Sequence, residues 1–433
     1  MISVIALVTA GIAAAVRASI APDLKTIFFD PINPLGSAGM IGSVLGVAFL
    51  GFALSIAIGS PLLDAIGMGR MLGLACGCFT VGTLTTLFTA KLSGVMSPYW
   101  VIWFGMAISG MAWGLVETTI NPLTATLYPE EKTHRLNVLH AWWPCGLIIG
   151  GLLGLLIGHL HLDWRYQLAV VLVPALVFGA MLVGTKFPPT ERVAAGVSAG
   201  GMFKEVANPF FFVWFFAMFL TAASELAPGQ WVNVALTRTV GMQGIWLLIY
   251  VSGLMFVMRH FAGTMAHRFS AVGLLWISCL LASLGLVVLS LANSPVTGLL
   301  AATLWGTGVC YLWPTMLAAA SERFPRGGAL LMGLMGTAGS LSIYFVLPAM
   351  GNVFDRAKIN AAGGDAAFQA LSGDRLNDVL MVASRSSFRV VAVLPAILLF
   401  VFGAVWLYDR ARGGFKPVAL NVEAALAEPT GEL

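Results

Sequence analysis

FPPTERVAAGVSAGGMFKEVAN, residues 187–208, interrupts an otherwise apolar chain near its middle. It carries Pro188, Pro189, Glu191, Arg192, Lys204 and Glu205 and is the longest polar stretch before the last loop. Working outward, each flank divides into six apolar spans of roughly twenty residues or more, the length a helix needs to cross a bilayer core. The expected spans before it are 2–22, 38–62, 70–90, 98–126, 135–159 and 166–186. Those after it are 209–229, 243–265, 271–292, 296–320, 328–352 and 386–408. The expected organisation is a six-helix half over 1–186, a linker over 187–208, a second half over 209–408 with an outer loop at 354–385, and a tail over 409–433.

Composition fits only a membrane chain. Of 433 residues, 59% are apolar and 10% charged, too few charges to solvate the surface of a soluble protein. The net charge of +4 is scattered between spans rather than gathered on one face, so no nucleic acid is implied. The five cysteines all lie inside apolar spans without metal or redox spacing. No metal or cofactor is called for, and no nucleophile and base combine into an enzyme site. The span that begins at Met1 lacks a basic start and a small-residue cleavage site, and reads as a retained helix.

Two sets of charges recur at matching places in the halves, as internal duplication predicts. Asp64 and Arg70 follow the second span, and His267 and Arg268 follow the eighth. Glu131 and Arg135 follow the fourth, and Glu322 and Arg326 follow the tenth. These eight are the candidate gating residues. Basic residues concentrate in the loops on the linker side, which places both termini in the cytoplasm of a cell (inner) membrane protein. Arg259 counts here as one of those loop cations. The outer segment Ala366 to Val382 has mixed periodicity and is expected as a helix lying on the membrane face.

Ionisable side chains inside a span cost several kcal/mol, which makes them functional candidates. Glu117 lies well inside the fourth span, followed by Asn121 and Pro122. It reads as a carboxyl that exchanges a proton during transport, against a carboxylate locked by hydrogen bonds. Arg17, in the first span, cannot shed its charge and needs an anion. Glu117, an anionic substrate and solvent reached by snorkelling all remain open. Glu225 is placed near the outer end of the seventh span, either in the site or wetted at the interface. Asn137, His140 and Trp143 open the fifth span, the first two close enough along a helix to share a face. Gly146, Gly150 and Gly154 form a stripe for close helix packing.

Asp64-Ala65-Ile66-Gly67-Met68-Gly69-Arg70 resembles, in part, the loop signature of the major facilitator superfamily. Ala65 stands where that signature has an arginine. Glu117-Thr118-Thr119-Ile120-Asn121-Pro122, Arg135-Leu136-Asn137 and Trp313-Pro314-Thr315 resemble the fucose/galactose/glucose:proton symporters within it. Arg259, Gly263-Thr264 and Arg268-Phe269 add to the likeness. The resemblance implies an all-α membrane protein with twelve transmembrane helices in two pseudo-symmetric six-helix halves. It also implies that the gate charges pair across the halves, and that Glu117 holds the family's protonation and sugar-coupling position. The family's first-helix acid falls on Ala18, with Arg17 beside it, and its fifth-helix amides fall on His140 and Trp143. The second proton carrier is therefore missing.

The function expected is secondary transport of a small polar solute, a hexose or deoxyhexose, by alternating access. The proton is the coupling ion, the bilayer the surroundings and a monomer the working unit. Glu117 and Arg17 govern coupling, and Asn121, Asn137, His140, Trp143, Glu225 and Trp313 touch the solute. The competing readings are a proton-driven exporter, a uniporter of another solute, one of them an organic anion, and a non-transporting receptor on the same fold.

Overall fold

A computed structural model of the chain describes residues 1–33, 37–242 and 244–418. The described residues are built from helices, with no strand among them. The long helices are α1 (Ile2–Leu24), α2 (Ser37–Ile66), α3 (Met68–Leu87), α4 (Pro98–Leu127), α5 (Lys132–His159) and α6 (Trp164–Met181). Two short helices, Glu191–Ala194 and Ala199–Val206, occupy the polar interruption. The second set is α7 (Pro209–Val240), α8 (Gly244–Arg259), α9 (Ala262–Leu289), α10 (Pro295–Arg323), α11 (Gly328–Ala362) and α12 (Gly373–Ala411). Eleven are long and apolar enough to cross a membrane, and the twelfth crossing is the shorter apolar α8. It is completed by the start of α9, whose direction breaks at Ser270, where φ is 62°. Gly67, with φ of 89°, makes the equivalent turn between α2 and α3.

Two stretches differ from the sequence expectation. The segment expected as an outer loop, 354–385, is mostly helix, because α11 runs on to Ala362 and α12 begins at Gly373. No separate helix covers Ala366 to Val382: Asp365–Gln369 forms a short helix and the rest belongs to α12. Polar residues there mark helix that continues past the apolar core, which hydropathy alone reads as loop. Of the tail, α12 extends to Ala411, and residues 419–433 lie outside the described residues.

The halves meet through symmetry-equivalent pairs. Helix α2 packs on α11 and α5 on α8, and adding six to each number exchanges the two contacts. Within the first half, α1 lies against α5 along the glycine stripe. A Cβ at Gly146 would sit 2.5 Å from the Val8 carbonyl oxygen, and one at Gly150 would sit 2.8 Å from Ala15 Cβ. The stripe is thus a backbone-to-backbone seam, which fixes how deeply α1 sits and where Arg17 points.

Proline shapes the centre. A proline leaves unbonded the carbonyl four residues before it. Pro144 frees the His140 carbonyl in α5, Pro228 frees that of Ser224 in α7, and Pro314 frees that of Cys310 in α10. A freed carbonyl buried in a membrane bundle must find a donor. All three do: Arg259 Nη1 reaches the His140 oxygen at 2.7 Å, Arg259 Nε the Cys310 oxygen at 2.7 Å, and Trp305 Nε1 the Ser224 oxygen at 3.3 Å.

Candidate transport site

Glu117 is buried in α4, about three turns before the helix ends at Leu127. Its Oε2 accepts from Asn121 Nδ2 at 2.6 Å and its Oε1 from Trp113 Nε1 at 3.4 Å. Asn121 and Trp113 lie one turn to either side on α4, so the helix itself builds this cradle. Asn121 Oδ1 is then left to accept from His140 Nε2 at 2.9 Å, which puts the imidazole proton on Nε2. His140 Nε2 also stands 3.7 Å from Glu117 Oε2. Neutral donors therefore hold this carboxyl, and among the described residues no lysine or arginine lies within 4 Å of it.

Glu225 is in a different setting. It is buried, not wetted at an outer interface, because α7 continues well past it to Val240. Its Oε1 accepts from Arg259 Nη2 at 2.9 Å and its Oε2 from the Trp313 backbone N–H at 3.2 Å. Arg259 is correspondingly not a loop cation: the residue is 1% exposed and directs donors to α5, α7 and α10. One guanidinium thus joins both halves and satisfies a proline-freed carbonyl in each. Its own sequence neighbours, Met258 and His260, look like the end of a span, and the usable signal was Pro144 and Pro314.

Arg17 is also buried, at 5% exposure, and its described polar contact is Ser109 Oγ at 3.5 Å. It does not pair with Glu117. Ser109 precedes Glu117 by two turns of α4, about 12 Å along the axis. Arg17 instead lines a central cavity with Trp113, Trp143, Glu225 and Trp305. The indoles of Trp113 and Trp143 stack at 4.3 Å with 13° between planes, and Trp113 screens Glu117 from the cavity. Of the six residues expected to touch the solute, Trp143 and Glu225 line this cavity. Asn121 and His140 bond within the Glu117 cluster, Trp313 packs on Phe52, and Asn137 Nδ2 donates to Thr315 Oγ1 across the halves at 3.2 Å. The cavity measures about 50 Å³, room for a few waters and too little for a hexose, so the centre is occluded in this conformation.

The end of the bundle that carries the polar interruption is latched. Asp64 takes a hydrogen bond from Thr190 Oγ1 at 2.8 Å and an ion pair from Arg192, whereas Arg70 is exposed. Lys132 pairs with Glu191 at 2.7 Å. Glu322 accepts from Thr133 Oγ1 at 2.8 Å across the halves. Glu131 and Arg135 pair with each other at 2.8 Å within one helix turn rather than across the halves. Arg326 is exposed, as are His267 and Arg268, the latter lying over the Phe269 ring. In the second half, Arg323 pairs with Asp409. The partners of Asp64 and Lys132 come from the linker: Thr190, Arg192 and Glu191.

Comparison with known proteins bears on the whole bundle. A D-xylose transporter from Levilactobacillus brevis is 26% identical over 157 residues, which is 36% of this chain and 30% of that protein's length. The xylose transporter XylE of E. coli, in a partially occluded inward-open form, superposes with a TM-score of 0.70 at 17% identity, over 92% of this chain and 95% of that one. The E. coli fucose:proton symporter FucP superposes with a TM-score of 0.61 at 16% identity, over 91% and 98%. At such identities the structural likeness establishes the fold. The family model described as Major Facilitator Superfamily matches residues 3–346. With twelve crossings meeting through symmetry-equivalent helix pairs and a family match over most of its length, this multi-pass membrane chain belongs to the Major Facilitator Superfamily, a family of transporters rather than enzymes.

Proposed function

We propose that this protein is a secondary active transporter that moves a monosaccharide-sized polar solute by alternating access, with a proton carried on Glu117. The observation that carries the reading is the contrast in partners: Glu225 is neutralised by Arg259, whereas Glu117 is held by Asn121 and Trp113. A buried carboxyl with neutral donors tolerates both protonation states, which a proton carrier requires. The similarity to transporters of xylose and fucose supports the sugar class.

The polar, latched end is taken as cytoplasmic, by its basic residues, and both termini with it. The structure then corresponds to a carrier closed toward the cytoplasm and occluded at the centre. Opening requires the Thr133–Glu322 and Asn137–Thr315 bonds and the Arg259–His140 bond to break or move, since each crosses the halves. Asp64, Arg70, Glu131, Arg135, His267, Arg268, Glu322 and Arg326 surround that end as its gate. Uptake of labelled D-xylose, L-fucose and D-glucuronate into proteoliposomes, with and without an inward proton gradient, tests the reading. Gradient-driven accumulation of at least one of them is expected. Flux indifferent to the gradient contradicts coupling, and no flux of any sugar contradicts the substrate class.

A further inference from the structure

Among the described residues five cationic side chains are at least nine-tenths buried: Arg17, Lys132, Arg192, Arg259 and Arg323. Four face a carboxylate, namely Lys132 with Glu191, Arg192 with Asp64, Arg259 with Glu225 and Arg323 with Asp409. Arg17 faces only a serine hydroxyl at 3.5 Å, and it lines the central cavity. A guanidinium cannot be neutralised by losing its proton, so leaving it buried and unpaired is costly unless something that enters the cavity pairs with it. We infer that Arg17, with Ser109 beside it, is the receptor for a carboxylate on the transported solute, and that the solute class is a small hydroxylated monocarboxylate such as a sugar acid.

The charge balance of the site favours a monoanion. Arg259 and Glu225 cancel, which leaves Arg17 and Glu117. The side chains facing Glu117 are Trp113 and Asn121 from its own helix and His140 from α5, with Arg259 further off and already paired. With His140 neutral and Glu117 ionised, the empty site sums to zero. A proton on Glu117 leaves the Arg17 charge uncompensated, and a monoanion at Arg17 restores zero. Proton and monocarboxylate therefore favour each other's binding, and the loaded site is electroneutral. A neutral sugar gives no such restoration, and a phosphate dianion overshoots it. The guanidinium fork suits a carboxylate geometrically, and the Ser109 hydroxyl supplies a further donor. The indole faces of Trp113 and Trp143 wall the cavity beside them, where a carbon skeleton can lie.

The inference rests on the proposed transport reading, and binding without any gradient separates the two. Thermal shift of the purified full chain would be measured against matched pairs: D-glucose with D-glucuronate and D-gluconate, and D-galactose with D-galacturonate. At least one acid is expected to bind tenfold or more tightly than its neutral counterpart. Arg17→Gln should abolish that preference, and Arg17→Lys should restore part of it. The overturning results are that no acid outbinds its counterpart, or that Arg17→Gln keeps the preference. Should Arg17→Gln fail to fold, Arg17→Lys carries the test: a preference undiminished from the native protein would overturn the assignment. An acid preference without proton coupling would leave the Arg17 assignment standing and remove the role of Glu117. Proton-coupled transport of neutral sugars alone would do the reverse.

Discussion

Arg259 and Arg17 are two arginines at the same depth of burial with opposite surroundings. Arg259 spends its donors on the Cys310 and His140 carbonyls and on Glu225. Arg17 has one long contact to a hydroxyl. The first is a structural tie whose charge and geometry are both satisfied by the fold. The second is a buried charge beside a cavity with no described counter-ion, an arrangement that stability alone would not favour. Intramembrane charge therefore divides into groups that close the structure and groups held open for something that arrives later. Glu225 and Glu117 divide the same way.

The sharpest way to break this comparison is to remove each arginine. Arg259→Met leaves Glu225 buried without its counter-charge and two proline-freed carbonyls without donors, and should destabilise by about 3–5 kcal/mol or prevent folding. Arg17→Gln removes a charge that has no partner, and its melting temperature in detergent should match or exceed that of the native protein. A large loss at Arg17 and none at Arg259 would invert the assignment. Next in size, Gly150→Leu drives a side chain into Ala15 and Ile12 of α1 and should cost about 1–3 kcal/mol by the same measurement. Its effect would also displace Arg17, so solute binding should weaken with stability.

The smallest effect expected is at the latch. Thr133→Val removes the donor to Glu322 and should cost about 1 kcal/mol, biasing the carrier toward opening at the linker end. Alkylation of a cysteine placed at Asn137, compared with and without Thr133→Val, reports that bias as faster labelling. Unchanged labelling would show that the Thr133–Glu322 bond does not hold the end shut.

Most of the fold was legible because crossing a bilayer imposes a long apolar span, and twelve such spans divided by residues 187–208 leave little choice of architecture. The ends of α11 and α12 were not legible, since a helix that projects into water loses the apolar signal while keeping its backbone hydrogen bonds. Glu117, Asn121 and His140 stood out as polar residues within spans, and they touch one another. Arg259 did not, because at a span terminus a snorkelling cation and a buried one look the same in sequence. What buries it is the pair of prolines on two other helices, a long-range fact. The depth of Glu225 was left open for a related reason: it depends on how far α7 continues, and the residues after it are polar enough to read as an ending. The linker partners of Asp64 and Lys132 were not legible because a polar connector carries no periodic pattern to place it.

The central claim is that Glu117 carries the proton, and the most direct measurement is solute-induced alkalinisation outside proteoliposomes of oriented protein. The native carrier should take up one proton with each solute molecule. Glu117→Gln should abolish the pH change and gradient-driven accumulation while preserving solute exchange between equal pools. Alkalinisation that persists in Glu117→Gln at the native ratio would contradict the account.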